Sequence, residues 1–307
     1  MDVRQLQLLR ELGERGSLSA VAEAAHVSPS AVSQQLKVLQ RGAAVPLTER
    51  RGRRLVLTPA GRALAAAAVD IAEALARAEH AVADHLADAA APVRVCAFHS
   101  AGLAFFGPLL QWSGQPGHPP VHCRDEDTAQ DAFPALVADH DLVLAHRLRH
   151  GPRWPTGPGL VVTRLLTEPM DIAMAHGHPL AGRAQVTPAD VARHRWLAVH
   201  EGYPLTGVLG AVGAAAGRPL DVVHRVNDFG LASAVVATGD VLALVPRHLA
   251  QQDLHPGVVT RPLHGLTVTR DVDVLARPDH LARSGVRAVL DRLREAGAAL
   301  VAGPAVS

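Results

Sequence analysis

The side chains best suited to reading a nucleic acid fall in one short run, Ser28-Pro29-Ser30-Ala31-Val32-Ser33-Gln34-Gln35-Leu36-Lys37-Val38-Leu39. Ser28 suits a helix N-cap, and Pro29 suits the first helical position, where a missing N–H costs nothing. Val32, Leu36 and Leu39 recur at i, i+4 and i+7 and form one apolar stripe. Ser30, Ser33, Gln34, Lys37 and Arg41 share the opposite face. Hydroxyls and amides can exchange hydrogen bonds with base edges, and Lys or Arg can pair with phosphates, as a DNA major groove requires of an inserted helix. The ordinary alternative is an amphipathic helix with a solvated polar face. The next charged stretch weighs against it. Arg50, Arg51, Arg53 and Arg54 surround Gly52, and Leu55-Val56-Leu57 follows. A glycine turn between short extended runs predicts a hairpin, or wing, whose arginines would line a phosphate backbone rather than form a solvated charge run.

Other reactive residues carry less. With 18 histidines, chance pairs are expected: His176 with His178, and His118 with His122 beside Cys123. No second group has zinc-type spacing, so neither metal nor cofactor is expected. Cys96 and Cys123 read as buried, inert thiols on neighbouring strands, with a redox sensor as the lesser alternative. There is no Gly-x-Ser-x-Gly, no glycine-rich phosphate loop and no His-Glu-x-x-His, so an enzyme is not expected.

The elements that must hold the reading surface follow from periodicity and caps. Leu6, Leu9 and Leu12 give a first helix over 3–15, loosened at its end by Gly13 and Gly16. Ser17 or Ser19 can cap a short alanine-rich second helix. A tight turn at His26-Val27-Ser28 then leads into the third. Thr58-Pro59 starts a helix that runs to about Asp88. Leu64, Ala68, Ile71, Leu75, Ala78, Val82 and His85 step through it as a thin heptad repeat. A rod of roughly 42 Å with one apolar seam predicts pairing with its own copy, against the alternative of packing on its own chain. A pair can read two half-sites about one helical turn apart.

Beyond the Ala89–Pro92 hinge, strands and helices alternate. Strands are expected at 93–98, 121–124 and 141–145, with helices to about Trp112 and over 128–140 (Pro134 kinking the latter). A second series follows from Leu160, with strands at 170–175, 196–199, 220–226, 241–245, 258–263 and 268–275, and a last helix over 280–297. Such alternation predicts a parallel α/β sheet.

Length and charge agree with this division. The 307 residues exceed one ordinary domain, and 48% hydrophobic content supports large cores. Residues 1–62 carry a net charge of +5 and residues 63–307 carry −4, a small basic head on a mildly acidic body. No apolar run approaches a bilayer span. Met1-Asp2-Val3-Arg4 opens no apolar stretch, so no secretory signal and no membrane partner are expected, and a cytoplasmic location is.

The sequence resembles the LysR-type transcriptional regulators. The resemblance is carried by Gly16-Ser17-Leu18-Ser19, Ala22, Ala24-Ala25, Val27-Ser28, Ala31-Val32-Ser33-Gln34-Gln35-Leu36, Leu39, Pro46-Leu47, Glu49-Arg50 and Leu57-Thr58-Pro59-Ala60-Gly61. Gln40, where the family usually has Glu, Ala44, where it usually has Gly, and Thr48, where it has a large apolar residue, depart from the pattern. Glu168-Pro169-Met170-Asp171-Ile172-Ala173, His178-Pro179-Leu180 and Gly239 to Pro246 extend it, more weakly, through the body.

The resemblance implies a winged helix-turn-helix over 1–58, a linker and dimerisation helix over 59–88, and an effector-binding domain over 89–307. That domain would be a two-lobed, periplasmic-binding-protein-like α/β fold, with lobe I at about 93–164 and 269–303 and lobe II at about 165–268. It implies DNA contacts at Pro29, Ser30, Ser33, Gln34 and Lys37, with Arg51 and Arg53 on the wing and Ser17 or Ser19 placed to hold a phosphate. Implied partners are double-stranded promoter DNA, a small-molecule effector and further copies of the chain, as a dimer or dimer of dimers; RNA polymerase is a candidate further partner. Ligands of such clefts collect at strand C-termini and helix N-termini. That rule names His99, Ser100, Ala101, Asp127, Thr128 and His146 in one lobe. In the other it names Glu201, Gly202, Tyr203, Asn227 and Asp228. The alternatives in other classes are an enzyme with a DNA-binding head, an architectural DNA protein without effector, and a periplasmic solute binder. The last is opposed by the basic head.

Overall fold

The computed structural model describes residues 1–51, 54–86, 91–201, 203, 205–250 and 253–302, the last turns of the linker helix, 79–86, by backbone only. The head opens with α1 (Val3–Arg15), α2 (Leu18–Ala24) and α3 (Pro29–Arg41), followed by a hairpin of β1 (Thr48–Arg51) and β2 (Arg54–Leu57). The caps fall where the residue types place them. Ser17 Oγ accepts from Ala20 N at 3.1 Å, Ser28 Oγ from Ala31 N at 3.2 Å, and Thr58 Oγ1 from Gly61 N at 3.0 Å. Gly16 ends α1 in the left-handed region, φ 68°. Leu6, Leu9, Leu12, Val32, Leu36 and Leu39 meet in one core with Leu47 and Leu57. Gln40, the departure from the family pattern, donates from Nε2 to Val45 O (2.9 Å) and accepts from Leu47 N (2.7 Å). It closes the loop before the wing, and a glutamate could not supply the donor.

Helix α4 (Pro59–Leu86) leaves the head as one continuous rod. Ala65, Val69 and Ala72 are buried along it, whereas Ile71 and Leu75 stay 39% and 41% exposed. The helix therefore carries two seams. One packs on its own chain, where it meets the short helix α9 (Pro278–Leu281), and the predicted heptad seam is left open at Ile71 and Leu75.

The body is one curled mixed sheet carried by two lobes. In lobe I, β3 (Val93–Ala97), β4 (Val121–Asp125) and β5 (Leu142–Leu148) run parallel. In lobe II, β7 (Arg195–Ala198), β8 (Asp221–Arg225) and β9 (Val241–Pro246) do the same. The long β6 (Val161–Ala175), with β10 (Val258–Pro262) and β11 (Thr269–Ala276), pairs antiparallel and joins the halves. The expected all-parallel sheet is thus a mixed one, because the chain must cross between lobes and return. β6 pairs with β11 up to Pro169 and with β9 from Met170, so the crossing falls later than the expected 164/165. The predicted helix over 128–140 is a 3-10 helix, Gln130–Ala138, with Pro134 inside it. Helices α5 (His99–Ser113), α6 (Pro188–Val191), α7 (Thr206–Ala215), α8 (Phe229–Val236) and α10 (Ser284–Ala302) complete the fold.

Charges in the middle of β11 find partners by register. Arg270 lies opposite Glu168, Asp271 opposite Arg147, and Asp273 opposite Arg164. Glu168 and Arg270 are both fully buried and bond at 2.6 Å, and Glu168 also accepts from His248 N and Leu249 N. The buried carboxylate ties the crossover to lobe II, which accounts for the Glu168-Pro169 motif.

Candidate nucleic-acid interface and inter-lobe cleft

The front of α3 is bare. Pro29, Ser30, Gln34 and Lys37 are exposed, and Ser33 is half-buried. Ser30 Oγ bonds only Ser28 Oγ, at 2.9 Å. Ser17, Ser19, Ser33, Lys37, Arg50 and Arg54 line one groove of about 430 Å3 between the start of α2, the face of α3 and the hairpin. Of these, Ser17, Ser19, Ser33 and Lys37 are among the contacts that the resemblance implies, and Arg50 and Arg54 belong to the four wing arginines expected along a phosphate backbone, of which the resemblance singles out Arg51 and Arg53. Lys37, Arg50 and Arg54 pair with no carboxylate among the described residues, so three cations converge on an open groove. Arg51 instead sits with Glu49, Nη2 to Oε1 2.8 Å, on the exposed wing. Arg53 lies outside the described residues.

The back of the head is bound to the body. Arg277, 5% exposed at its side chain, reaches Glu11 at 3.0 Å, Glu14 at 3.2 Å and Asp279 at 3.3 Å. Arg10 reaches Asp279 at 3.4 Å, and Arg15 donates to Asp139 and to Ala138 O, both at 3.0 Å. Burial and the adjacent Glu11 push the Glu14 carboxyl up to about 7, although Arg10 draws it down.

Between the lobes lies a narrow cavity lined by Phe98, His99, Ser100, Asp127, His146, Val199, Tyr203, Leu205, Asn227, Asp228, Phe229 and Arg270. It brings together His99, Ser100, His146, Tyr203, Asn227 and Asp228 of the expected set, along with Asp127. Ala101 is not among them: it is fully buried in the lobe I core. Thr128 is half-buried outside the cavity, and Glu201 is exposed against Arg225 at 3.2 Å. Gly202 lies outside the described residues. Arg270, outside the expected set, donates from Nη2 to Ser100 Oγ at 3.2 Å, and its guanidinium faces the Phe98 and Phe229 rings.

Arg270, Ser100 and His146 are the buried polar residues of the lining. Burial, then the Arg270 charge, holds the His146 imidazole well below the usual range, so it is neutral, and its Nδ1 has no partner among the described residues. His99 is held above its ordinary value: burial draws it down, but Asp125, Asp228 and Asp253 outweigh that. Cys96 and Cys123 are free. Cys96 lies opposite Arg124 in the β3–β4 register and Cys123 opposite Val95, so the two thiols face opposite sides of the sheet. Burial pushes them up to about 12 and about 11, the range of unreactive thiols. His178 is spent on His194, Nε2 to Nδ1 3.2 Å. No helix among the described residues is long and apolar enough to cross a membrane.

Residues 3–62 match the family model of the bacterial regulatory helix-turn-helix protein, lysR family, and residues 87–298 match the LysR substrate binding domain. The transcriptional regulator CbbR of Xanthobacter flavus is 28% identical over 306 residues, covering 97% of this chain and 89% of the relative. The dual regulator OxyR of Escherichia coli is 25% identical over 301 residues, covering 96% and 95%. A full-length OxyR variant from Pseudomonas aeruginosa shares the fold with a TM-score of 0.67 at 21% identity, covering 97% and 94% of the two chains. The regulator CbnR, in complex with its target DNA, does so with a TM-score of 0.51 at 18% identity, covering 97% and 100%. With both family models matched in order along almost its whole length, the chain belongs to the LysR family of bacterial helix-turn-helix transcriptional regulators.

Proposed function

We propose that two copies of this chain, joined along α4, set their α3 helices into successive major-groove half-sites of promoter DNA. A small molecule held in the inter-lobe cleft then changes the orientation of the heads, and with it transcription. The observation that carries the DNA reading is the groove shared by Ser17, Ser33, Lys37, Arg50 and Arg54, in which three cations have no carboxylate partner among the described residues. A phosphate backbone is the polyanion that such a groove fits. Ser30, Ser33 and Gln34 supply base-edge chemistry, and Pro29 starts the helix that presents them. Arg51 and Arg53 extend phosphate contact along the wing. The open seam at Ile71 and Leu75 supports the dimer, and the chain acts in the cytoplasm, where its DNA is.

The effector reading rests on the polar lining of the cleft, above all on His146, which is 5% exposed and lacks a partner at Nδ1. A ligand shifts the lobes only by its differential affinity for their open and closed arrangements. Footprinting on the DNA upstream of the protein's own gene tests the whole reading. Ser33→Ala combined with Gln34→Ala should reduce operator selectivity about 10- to 100-fold at unchanged dimer mass; unchanged selectivity would move the reading surface elsewhere.

A further inference from the structure

His99 stands at the mouth of the cleft between carboxylates from both lobes. Its Nδ1 lies 3.2 Å from Asp125 Oδ2 at the end of β4, in lobe I. Its Nε2 lies 3.0 Å from Asp228 Oδ2, the N-cap of α8, in lobe II. A third carboxylate, Asp253, comes from the segment after β9. One ligand atom from each of His99, Asp228 and Asp253 falls within 4.8 Å of the other two. Gly230 makes the room: a Cβ there would lie 2.5 Å from Asp253 Oδ2. Among the described residues Asp253 pairs with no arginine or lysine, and Arg270 is already held by Glu168. Three carboxylates therefore share one imidazole, which leaves a surplus of two negative charges even when that imidazole is protonated.

Two further observations point to an occupant and bound its size. His146, deep in the adjoining cavity, has an unpartnered nitrogen that a bound water could satisfy. The cavity itself leaves only about 30 Å3, one water's share of liquid volume. One imidazole with carboxylate oxygens is a donor set for first-row divalent ions such as Zn2+ or Mn2+.

We propose that His99, Asp228 and Asp253 bind one first-row divalent metal ion that ties lobe I to lobe II. The ion takes the place of the proton on His99 Nε2, which halves the surplus negative charge. Because its ligands come from both lobes, it binds the closed cleft better than the open one and favours closure. Its role as a signal rests on the effector reading above; its binding does not.

The test uses the full, untagged chain, stripped with chelator and dialysed. ZnCl2, MnCl2 and CoCl2 are titrated separately by calorimetry, and Co2+ is also followed by visible absorption. At least one of these ions should bind once per chain. Asp253→Asn and His99→Ala should each weaken that binding at least tenfold, while His178→Ala should not. Among the described residues the Asp253 side chain makes no hydrogen bond or ion pair, and losing its charge relieves repulsion within the cluster, so Asp253→Asn should melt no lower than the parent without metal. If either cleft variant fails to fold, bound Co2+ in the unmutated chain should still shift the ring protons of His99 by NMR. The absence of saturable one-to-one binding by all three ions would overturn the proposal, as would equal affinity in both cleft variants or unshifted His99 protons. One-to-one binding lost in the variants, with a promoter footprint indifferent to metal, would uphold the site and count against the effector reading alone.

Discussion

Gly61 is the residue on which the joint between head and linker helix depends, and Gly61→Ala measures it. A Cβ at this position would lie 1.9 Å from Leu47 O, 2.9 Å from Leu47 C and 3.4 Å from Leu47 Cα. The obstacle is backbone and cannot rotate away. Restoring ordinary contact requires the first turn of α4 to retreat from the loop before the wing by roughly 1–1.5 Å, an overpacking cost of about 1–3 kcal/mol. That movement pulls on the bonds that hold the same joint, Thr58 N to Leu47 O at 3.0 Å and Thr58 Oγ1 to Pro46 O at 2.6 Å. They contribute about 1 kcal/mol each. The expected loss is therefore on the order of 3–5 kcal/mol, a large part of the stability of a head of this size. Gly210→Ala, inside α7 with nothing within 4 Å of its Cβ, is the control. It should stabilise the body by about 0.5–1 kcal/mol. Thermal unfolding by circular dichroism, with promoter binding followed over the same temperatures, reads both. A Gly61→Ala protein whose head melts within about 1 kcal/mol of the parent would refute the close-approach argument.

Arg50→Ala and Arg54→Ala should each weaken binding to specific and random duplexes alike and flatten the salt slope by about one unit per head; a loss confined to the operator would make them base readers. Ile71→Asp with Leu75→Asp should convert the dimer to monomer by sedimentation without unfolding either core, and persistence of the dimer would place its interface elsewhere. Glu14 gives a pH signature. Its carboxyl is raised to about 7 in the docked head, so its stabilising contribution is full below the unfolded value near 4.3 and is lost as pH rises through 7. Urea melts at constant salt should lose on the order of 3–4 kcal/mol across that window. Glu14→Gln should abolish that slope, and a variant as pH-dependent as the parent would contradict the assignment.

The head was legible because its determinants are local. Ser17, Ser28-Pro29 and Thr58-Pro59 announce helix starts within three residues of the bonds they make, and Leu6 to Leu12 mark a core face by spacing alone. The four wing arginines look equivalent in sequence; only the fold shows that Arg50 and Arg54 reach the groove beside Lys37. The cleft was half legible. Strand ends pointed to His99, Ser100, His146 and Asp228, but Ala101 follows the same strand and is buried, since a helix turns successive residues in different directions. Arg270 has no local signal: a strand over 268–275 is expected, but only the register shows that its three charges lie opposite Glu168, Arg147 and Arg164. The second seam of α4, through Val69 and Ala72, is masked in sequence because the larger Leu64, Ile71 and Leu75 of the heptad draw the apolar pattern to the other face.

The placement of charge restricts how a signal can travel from cleft to DNA. β11 carries Arg270 in the cleft near one end, and Arg277 follows its other end, roughly 23 Å away along the strand. Arg277 and Asp279 hold α1 of the head with side chains that are mostly buried. Breaking such a pair by removing one partner costs about 3–5 kcal/mol, comparable to or larger than the 1–3 kcal/mol typical of allosteric coupling. On the proposed reading the head and lobe I of one chain then move together, and effector binding moves lobe II against that unit. Displacing a recognition helix on the duplex then requires lobe II to press on another copy, so the spacing between heads is set across chains and not within one.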